Sequence, residues 1–132
     1  MMRITFHKMF VDGSGRGLKK GKLHTVRINY KFWKKHEGKE LALSYWEGKP
    51  RRRGSTMKTF AVKRLVFVQK ADYKRGKGFF TGGKGEKKKK IDEYKMAVND
   101  GFEKLEDFKK WFMNSGYKGG DVGILHFTDM KY

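Results

Sequence analysis

The sequence KLHTVR at residues 22–27 predicts the strand around which the fold is organised. Successive side chains of a strand point to opposite faces, so one face carries Thr25 and Arg27, with Lys22 at its lip. The other face, which we expect to anchor the core, carries His24, Val26 and Ile28. The first face then presents an ammonium, a hydroxyl and a guanidinium group to a cleft. The alternative is a half-exposed strand with ordinary solvated charges.

Positive charge is concentrated in the first two-thirds of the chain. Residues 1–90 contain 27 Lys and Arg against 6 Asp and Glu, whereas residues 91–132 contain 6 against 8. So many like charges repel one another and destabilise the fold. A polyanionic partner therefore explains the positive excess better than solubility alone does. We expect nucleic acid rather than a membrane surface, because the lysines lie in glycine-rich stretches and not on an amphipathic helix.

The chain of 132 residues fits one domain, 1–132, that is large enough to bury a core. It has no cysteine, which excludes disulfides and thiolate metal sites. No apolar run approaches membrane-spanning length, and residues 1–6 lack the apolar segment of a secretory signal. We therefore expect a soluble, cytoplasmic protein, monomeric by default.

Basic residues cluster in two turns. The glycine-rich run at residues 12–21 does not continue into the Gly-Lys-Ser/Thr of a nucleotide P-loop, but Lys19 and Lys20 are predicted phosphate contacts. Residues 40–46 and 57–69 are predicted strands of a hairpin. Its tip carries Arg51, Arg52 and Arg53. Arginine forks suit phosphate oxygens, so this tip is a candidate nucleic-acid contact, with a solvated hairpin end as the alternative.

Residues 73–90 are rich in lysine and glycine and are predicted to form a mobile loop, because they offer little apolar surface to bury. Aromatic rings among cations are typical of surfaces that stack single-stranded bases. The candidate binding residues in this loop are Lys74, Arg75, Phe79, Phe80, Lys87 and Lys88. Alternatively, Phe79 and Phe80 anchor the loop to the body of the protein.

An amphipathic helix follows the turn at residues 99–102. Residues 91–98 are ambiguous between helix and strand, but aromatic and aliphatic side chains then recur at helical spacing up to Gly116. They are Phe102, Leu105, Phe108, Trp111 and Phe112. We interpret this stripe as core. Residues 122–127 are predicted to form a closing strand.

Three features, in this order, resemble the ASCH domain, a PUA-like β-barrel family. They are the Lys22-x-x-Thr25-x-Arg27 strand, the Asn-Asp-Gly-Phe turn with its helix ending in Trp111-Phe112, and the last strand ending in His126-Phe127. Lys20 stands where the family signature has glycine. Residues 73–90 form an insertion relative to compact members.

The resemblance implies an α+β fold, a small mixed β-barrel with one or two peripheral helices, in a family associated with RNA binding. Some compact members are amidohydrolases that remove an acyl group from the exocyclic amine of cytidine with a lysine, a threonine and a carboxylate. Those roles fall on Lys22, Thr25 and Asp100, where the family carboxylate is a glutamate. RNA cleavage is also attributed to relatives.

The chemistry of these residues leaves their roles open. A threonine hydroxyl needs a base, and lysine is a base only when its pKa is lowered by burial or by a cation such as Arg27. Asp100 acts in the opposite direction, because it favours the charged form of Lys22. Asp100 is equally suited to capping the following helix, Thr25 to forming a strand, and Lys22 to contacting phosphate.

No metal or cofactor is predicted, because the four histidines are scattered without metal-ligand spacing. His24 and His126 lie in predicted strands, where they flank the cleft. The favoured hypothesis is a domain that binds RNA or another single-stranded nucleic acid, with RNA favoured over DNA, along a basic groove formed by Lys22, Arg27, residues 51–53 and the loop 73–90. The competing hypotheses are a hydrolase of N4-acylated cytidine or a related modified nucleoside, a ribonuclease-like hydrolase, and a module that recruits an acidic protein.

Overall fold

The computed structural model describes residues 1–82 and 87–132, and in these ranges the chain has the predicted α+β fold. The strands are β1 (Met2–Phe6), β2 (His24–Ile28), β3 (Glu40–Glu47), β4 (Thr56–Arg64), β5 (Phe67–Lys74), β6 (Gly78–Thr81), β7 (Lys89–Lys90) and β8 (Gly119–His126). The helices are α1 (Tyr30–Lys34), α2 (Glu93–Asn99) and α3 (Leu105–Asn114). A 3₁₀ turn at Lys8–Phe10 follows β1. The prediction of one or two helices is thus corrected, because the described residues also form α1 from the aromatic turn after β2.

The strands form two sheets, with the orders β1-β3-β4 and β2-β8-β5-β6-β7. β1 runs parallel to β3, and the other pairs of neighbouring strands are antiparallel. Within the described ranges these sheets are not closed into a barrel. The core takes buried side chains from both sheets and from α2 and α3.

The chain passes from one sheet to the other between β4 and β5. The amide of Leu65 donates to the main-chain oxygen of Lys39, the residue before β3 of the first sheet, at 2.9 Å. The next amide, that of Val66, donates to the main-chain oxygen of His126 in β8 of the second sheet, also at 2.9 Å. Leu65 is fully buried at this crossing. The single strand predicted at residues 57–69 is therefore wrong, because two strands of different sheets meet there.

β2 is an edge strand of the five-stranded sheet and pairs with β8, so that Val26 lies opposite Ile124. The simple alternation predicted for it fails at both ends. His24 and Thr25 are both buried, whereas Ile28 is 57% exposed beside Asn29, whose φ of 70° begins the turn into α1. Ile28 therefore does not anchor the core.

The predicted aromatic helix is confirmed as α3, and Gly116, with a φ of 77°, follows its end. Phe108 is buried, and its ring lies 5.5 Å from that of Phe102. Trp111, however, is 41% exposed, so the stripe continues out of the core at this position. The ambiguous segment at residues 91–98 contains α2, which Asp92 caps by accepting from the amide of Lys95 (3.0 Å).

The segment 73–90 is not the continuous loop that its composition predicts. β5 continues to Lys74, a tight turn leads into β6, and β6 pairs with β7; residues 83–86 of the predicted loop lie outside the described ranges. The aromatic side chains of Tyr73 and Phe79 reach the core, where Phe79 is 2% exposed and the two ring centroids are 4.8 Å apart. Phe79 is therefore an anchor of this segment, which is the alternative that the sequence left open.

Candidate functional site

One cavity of about 190 Å³ contains four of the residues singled out in the sequence. Lys22 comes from the turn before β2, Thr25 and Arg27 from β2, and Asp100 from the C-terminal end of α2. The cavity, called the Lys22 pocket below, is completed by Thr5, Phe6, His7, Phe10, Val26, Trp111 and Phe112. The residues that the resemblance marks as catalytic thus share one pocket with Arg27.

A buried ion pair lies in this pocket. Lys22 Nζ donates to Asp100 Oδ1 at 3.0 Å and to the main-chain oxygen of Asp100 at 2.7 Å. The two side chains are 2% and 5% exposed, so Lys22 does not stand at the lip of the cleft as the alternation predicts. The carboxylate of Asp100 accepts from Lys22 and does not cap α3, which begins after Lys104.

Main-chain contacts bring the two residues together. Gly21, with a φ of 90°, turns the chain into Lys22, and the amide of Leu23 donates to Asn99 O at 2.7 Å. Asp100 closes α2 through its amide, which donates to Met96 O at 2.9 Å. The two main-chain segments therefore lie side by side, and Lys22 meets Asp100 across them.

Only glycine fits at position 101, where the main chain after α2 passes close to Lys22 and Phe10. The φ of Gly101 is 89°, and an added Cβ would lie 3.1 Å from Cβ of Lys22 and 3.2 Å from Cδ1 of Phe10. We expect Gly101→Ala to lower the free energy of unfolding by about 2 kcal/mol through backbone strain and crowding. Gly116→Ala is the matched control, because Gly116 has a similar φ of 77° with nothing within 4 Å. Equal losses in urea unfolding would show that the contact with Lys22 is not tight.

Burial lowers the pKa of Lys22, and the positive charge of Arg27 acts in the same direction, while Asp100 partly opposes both. Lys22 therefore holds its proton less tightly than an exposed lysine does. Burial also lowers the pKa of Arg27 to about 10, which still leaves its guanidinium charged at neutral pH. The pocket thus contains a fixed cation, a proton that is easier to remove, and a carboxylate.

Arg27 joins the two sheets and orients Thr25. One guanidinium nitrogen, Nη2, donates to Thr5 O in β1 at 2.6 Å, and Nε donates to Oγ1 of Thr25 at 3.2 Å. This hydrogen bond fixes a lone pair of the threonine oxygen and leaves its O–H free to donate. Arg27 therefore has a structural task in addition to its charge.

Aromatic side chains form the walls of the pocket. Nζ of Lys22 lies 4.1 Å from the ring centroid of Phe10, and the guanidinium carbon of Arg27 lies 5.0 Å from that of Phe6. At the rim, the ring of Trp111 meets that of His7 edge-on at 6.0 Å. Sequence reasoning missed this wall, because Trp111 fits the helical core stripe and only its exposure separates it from that stripe.

His24 adds a contact behind the ion pair. Its Nδ1 lies 3.3 Å from Oδ1 of Asp100, and its Nε2 lies 2.5 Å from the hydroxyl of Tyr132. Burial raises the pKa of Tyr132 to about 12, so its hydroxyl stays protonated at neutral pH. The alternation predicted His24 for the core face, and its fully buried ring is consistent with that. Its contact with Asp100 depends on how α2 packs and has no signal in the sequence.

The remaining predicted contacts lie on the surface, outside the Lys22 pocket. Arg51–Arg53 form the exposed tip of the β3–β4 hairpin, and Lys20 is exposed before Gly21. Lys74 and Arg75 are exposed at the β5–β6 turn, with Nζ of Lys74 lying 5.1 Å from the ring of the half-buried Phe80. The exposed lysines Lys87 and Lys88 precede β7, and Lys88 pairs with Asp72 at 2.9 Å.

Two absences apply to the described ranges. None of the helices there is long and apolar enough to cross a membrane. The same residues hold no group of three or more His, Asp or Glu side chains arranged to bind a metal ion.

Comparison with known proteins gave no match: no family model, no curated protein and no solved structure is significantly similar to the chain.

Proposed function

We propose that this protein is an ASCH-like domain that binds RNA, or another single-stranded nucleic acid, by accepting a base in the Lys22 pocket and phosphates on the surrounding cations. One observation carries the proposal. Lys22, Thr25, Arg27 and Asp100 line a single cavity that has aromatic walls. The cavity is smaller than the usual range for drug-sized ligands, which suits one planar base better than a large ligand.

The lining of the pocket suits a base in two ways. Trp111 at the rim, 41% exposed, offers a ring for stacking, which is worth about 1–3 kcal/mol per base, and Phe10 adds an apolar wall. Arg27 and the free O–H of Thr25 are donors, whereas the Asp100 carboxylate is an acceptor, so both kinds of group on a base edge find partners. A cytoplasmic location belongs to the same proposal.

The position of the arginine tip supports a path for the strand. β1 runs parallel to β3, with Phe6 opposite Tyr45, so the C-terminal ends of both strands lie at the same end of the sheet. Phe6 lines the Lys22 pocket there, and Arg51–Arg53 follow directly beyond the end of β3. A strand that leaves the pocket at this end would carry its phosphates towards these cations.

The resemblance to ASCH domains remains part of the proposal. It gains support from Arg27, the last residue of the signature, which bonds to Thr5 O and so links an edge strand of one sheet to an edge strand of the other. A small mixed barrel of the PUA type needs such a link between its sheets.

Binding should weaken steeply with salt. The formal net charge is +19, and each neutralised phosphate of a single strand contributes a slope of about −0.7 to log K against log salt. Fluorescence anisotropy with a labelled single-stranded RNA, between about 50 and 200 mM salt, measures that slope. An affinity that does not change over this range would refute a polyanion partner.

The arginine tip should contribute affinity without sequence preference. We expect the triple variant Arg51→Gln, Arg52→Gln and Arg53→Gln to bind RNA about tenfold more weakly at low salt, whatever the RNA sequence. The dependence of its affinity on salt concentration should also be less steep. A control triple with the same loss of charge is provided by exposed lysines in α1 and in the segment between α1 and β3, namely Lys31, Lys35 and Lys39. Equal weakening by the two triples would mean that net charge alone matters and that the tip is not a contact.

A second candidate function is hydrolysis of N4-acylated cytidine. The observation that favours it is the ammonium of Lys22, whose pKa burial lowers and which lies 3.0 Å from Asp100 in the same cavity as Thr25. A neutral Lys22 is a base able to take the proton of the Thr25 hydroxyl as that oxygen attacks the acyl carbon. The amide C–N bond then breaks, the exocyclic amine of cytidine leaves with the proton that Lys22 returns, and water hydrolyses the ester on Thr25 to a carboxylic acid and the free hydroxyl.

Incubation with N4-acetylcytidine tests this candidate directly, with cytidine and acetate measured by chromatography. We expect no turnover by Lys22→Ala and none by Thr25→Val if the wild-type protein is active. Turnover that survives Lys22→Ala would remove the mechanism. No turnover by the wild type, together with salt-dependent RNA binding, would leave the binding function alone.

A further inference from the structure

A second cavity, of about 220 Å³, lies next to the Lys22 pocket. We call it the aromatic pocket, because its wall includes the rings of Tyr73, Phe79, Phe108 and Phe112. Phe112 also lines the Lys22 pocket, so a single side chain of α3 borders both cavities. Two ligand groups on either side of Phe112 would therefore be close neighbours.

The rings of the aromatic pocket are packed against one another and present a preformed apolar surface. The centroids of Phe79 and Phe112 are 5.0 Å apart with the rings edge-on, and Tyr73 lies 5.8 Å from Phe112. Such a surface accepts the flat face of an aromatic ligand at low ordering cost, because the wall is already held by the core.

One carboxylate is set into this apolar wall. Glu93 lies in the lining with its side chain only 15% exposed, and its oxygens pair with Lys90 at 3.0 Å and with Lys109 at 3.3 Å. The two lysines compensate its charge, so the pocket does not repel a neighbouring phosphate strongly. Each carboxylate oxygen has more than one lone pair, so Glu93 keeps acceptor capacity for an amine N–H.

Cations stand at the edge of the pocket. Gly76 and Gly78 in the β5–β6 turn belong to the lining, and the same turn carries the exposed residues Lys74, Arg75 and Lys77. Lys109, another lining residue, is already paired with Glu93 and adds no uncompensated charge. An aromatic pocket rimmed by cations is complementary to a base with its phosphate, and a neutral apolar ligand would not use those charges.

We propose that the aromatic pocket binds a second base of the same strand, next to the base in the Lys22 pocket and separated from it by Phe112. Glu93 gives this pocket a preference for a base with an exocyclic amine, such as cytosine or adenine, over uracil. The inference rests on the proposed function, because the first base must occupy the Lys22 pocket.

Met113→Trp is the variant that tests the second site. Met113 lines the aromatic pocket and is 41% exposed, so a larger ring there fills the cavity without entering the core. Val62→Trp is the control, since Val62 is an exposed apolar residue of β4 that contributes to neither pocket. Urea unfolding of both variants checks that the fold is kept.

Unlabelled mononucleotides and the dinucleotides ApU, UpA and UpU are competed against a labelled RNA bound to each protein. In the wild type and in Val62→Trp, we expect a dinucleotide with an adenine to bind about tenfold more tightly than AMP, and UpU to gain less over UMP. In Met113→Trp that advantage is lost while mononucleotide affinity is kept.

Dinucleotides that keep their advantage in Met113→Trp, or that gain none in the wild type, overturn the second site and leave the proposed function standing. If no RNA binds to the wild type at all, the proposed function fails and the second site fails with it.

Discussion

Replacing Lys22 by methionine is expected to lower the free energy of unfolding by about 3–5 kcal/mol and to abolish nucleic-acid binding at the Lys22 pocket. Methionine keeps the apolar stem but leaves the carboxylate of Asp100, 4% exposed, without its ammonium partner. An uncompensated buried charge is far more costly than a missing pair. Urea unfolding followed by circular dichroism measures the loss of stability.

The double variant Lys22→Met with Asp100→Asn separates charge from packing. It removes both charges, and the amide of asparagine still offers an oxygen to His24, so we expect it to regain much of the stability lost by Lys22→Met alone. Neither variant should bind RNA at the pocket. A loss of under about 1 kcal/mol for Lys22→Met, or a double variant as unstable as the single one, would contradict a buried ion pair.

Acid should destabilise the fold through His126. Burial, with a contribution from His24, lowers the pKa of His126 to about 4, against 6.5 in an unfolded chain. Below pH 6.5 His126 is therefore protonated in the unfolded chain, whereas in the folded protein it becomes protonated only near pH 4. The contribution to stability is complete above pH 6.5 and is lost between pH 6.5 and 4, by about 3 kcal/mol at most.

His126→Gln isolates this effect from that of the carboxylates. His126 Nε2 lies 3.0 Å from Oε1 of Gln69, and the amide of an introduced glutamine retains a donor for that oxygen. We expect the loss of unfolding free energy between pH 7 and 4 to be about 3 kcal/mol smaller in the variant than in the wild type. Losses of the same size in both proteins would mean that His126 is protonated in the folded state.

The sequence was enough to predict which residues meet in the Lys22 pocket, but not how deeply they are buried or which contacts hold them there. Lys22, Thr25 and Arg27 share a short signature, and Asp100 follows from the resemblance, because the turn before an amphipathic helix is visible in the sequence. The burial of Lys22 was not predictable from alternation, since Lys22 precedes the strand and its position depends on the contact between Leu23 and Asn99. That contact joins segments more than seventy residues apart.

Local pattern also misplaced parts of the fold, for physical reasons. The apolar run at residues 57–69 reads as one strand, but Leu65 turns the chain from one sheet into the other. The charge of residues 73–90 suggested a loop, yet Tyr73 and Phe79 are enough to hold β5 and β6 on the core. In both cases a few buried side chains decide the structure of a segment whose average composition indicates something else.

Cross-linking provides the most direct test of the central claim that the Lys22 pocket receives a base. A single-stranded RNA is irradiated in complex with the protein, and the cross-linked tryptic peptides are identified by mass spectrometry. Trp111 at the rim of the pocket lies in the peptide of residues 111–118, and Phe10 lies in that of residues 9–16. We predict cross-links in both peptides, and we expect both to be lost in Lys22→Met. Cross-links confined to peptides outside the pocket, or no complex at low salt, would contradict the claim.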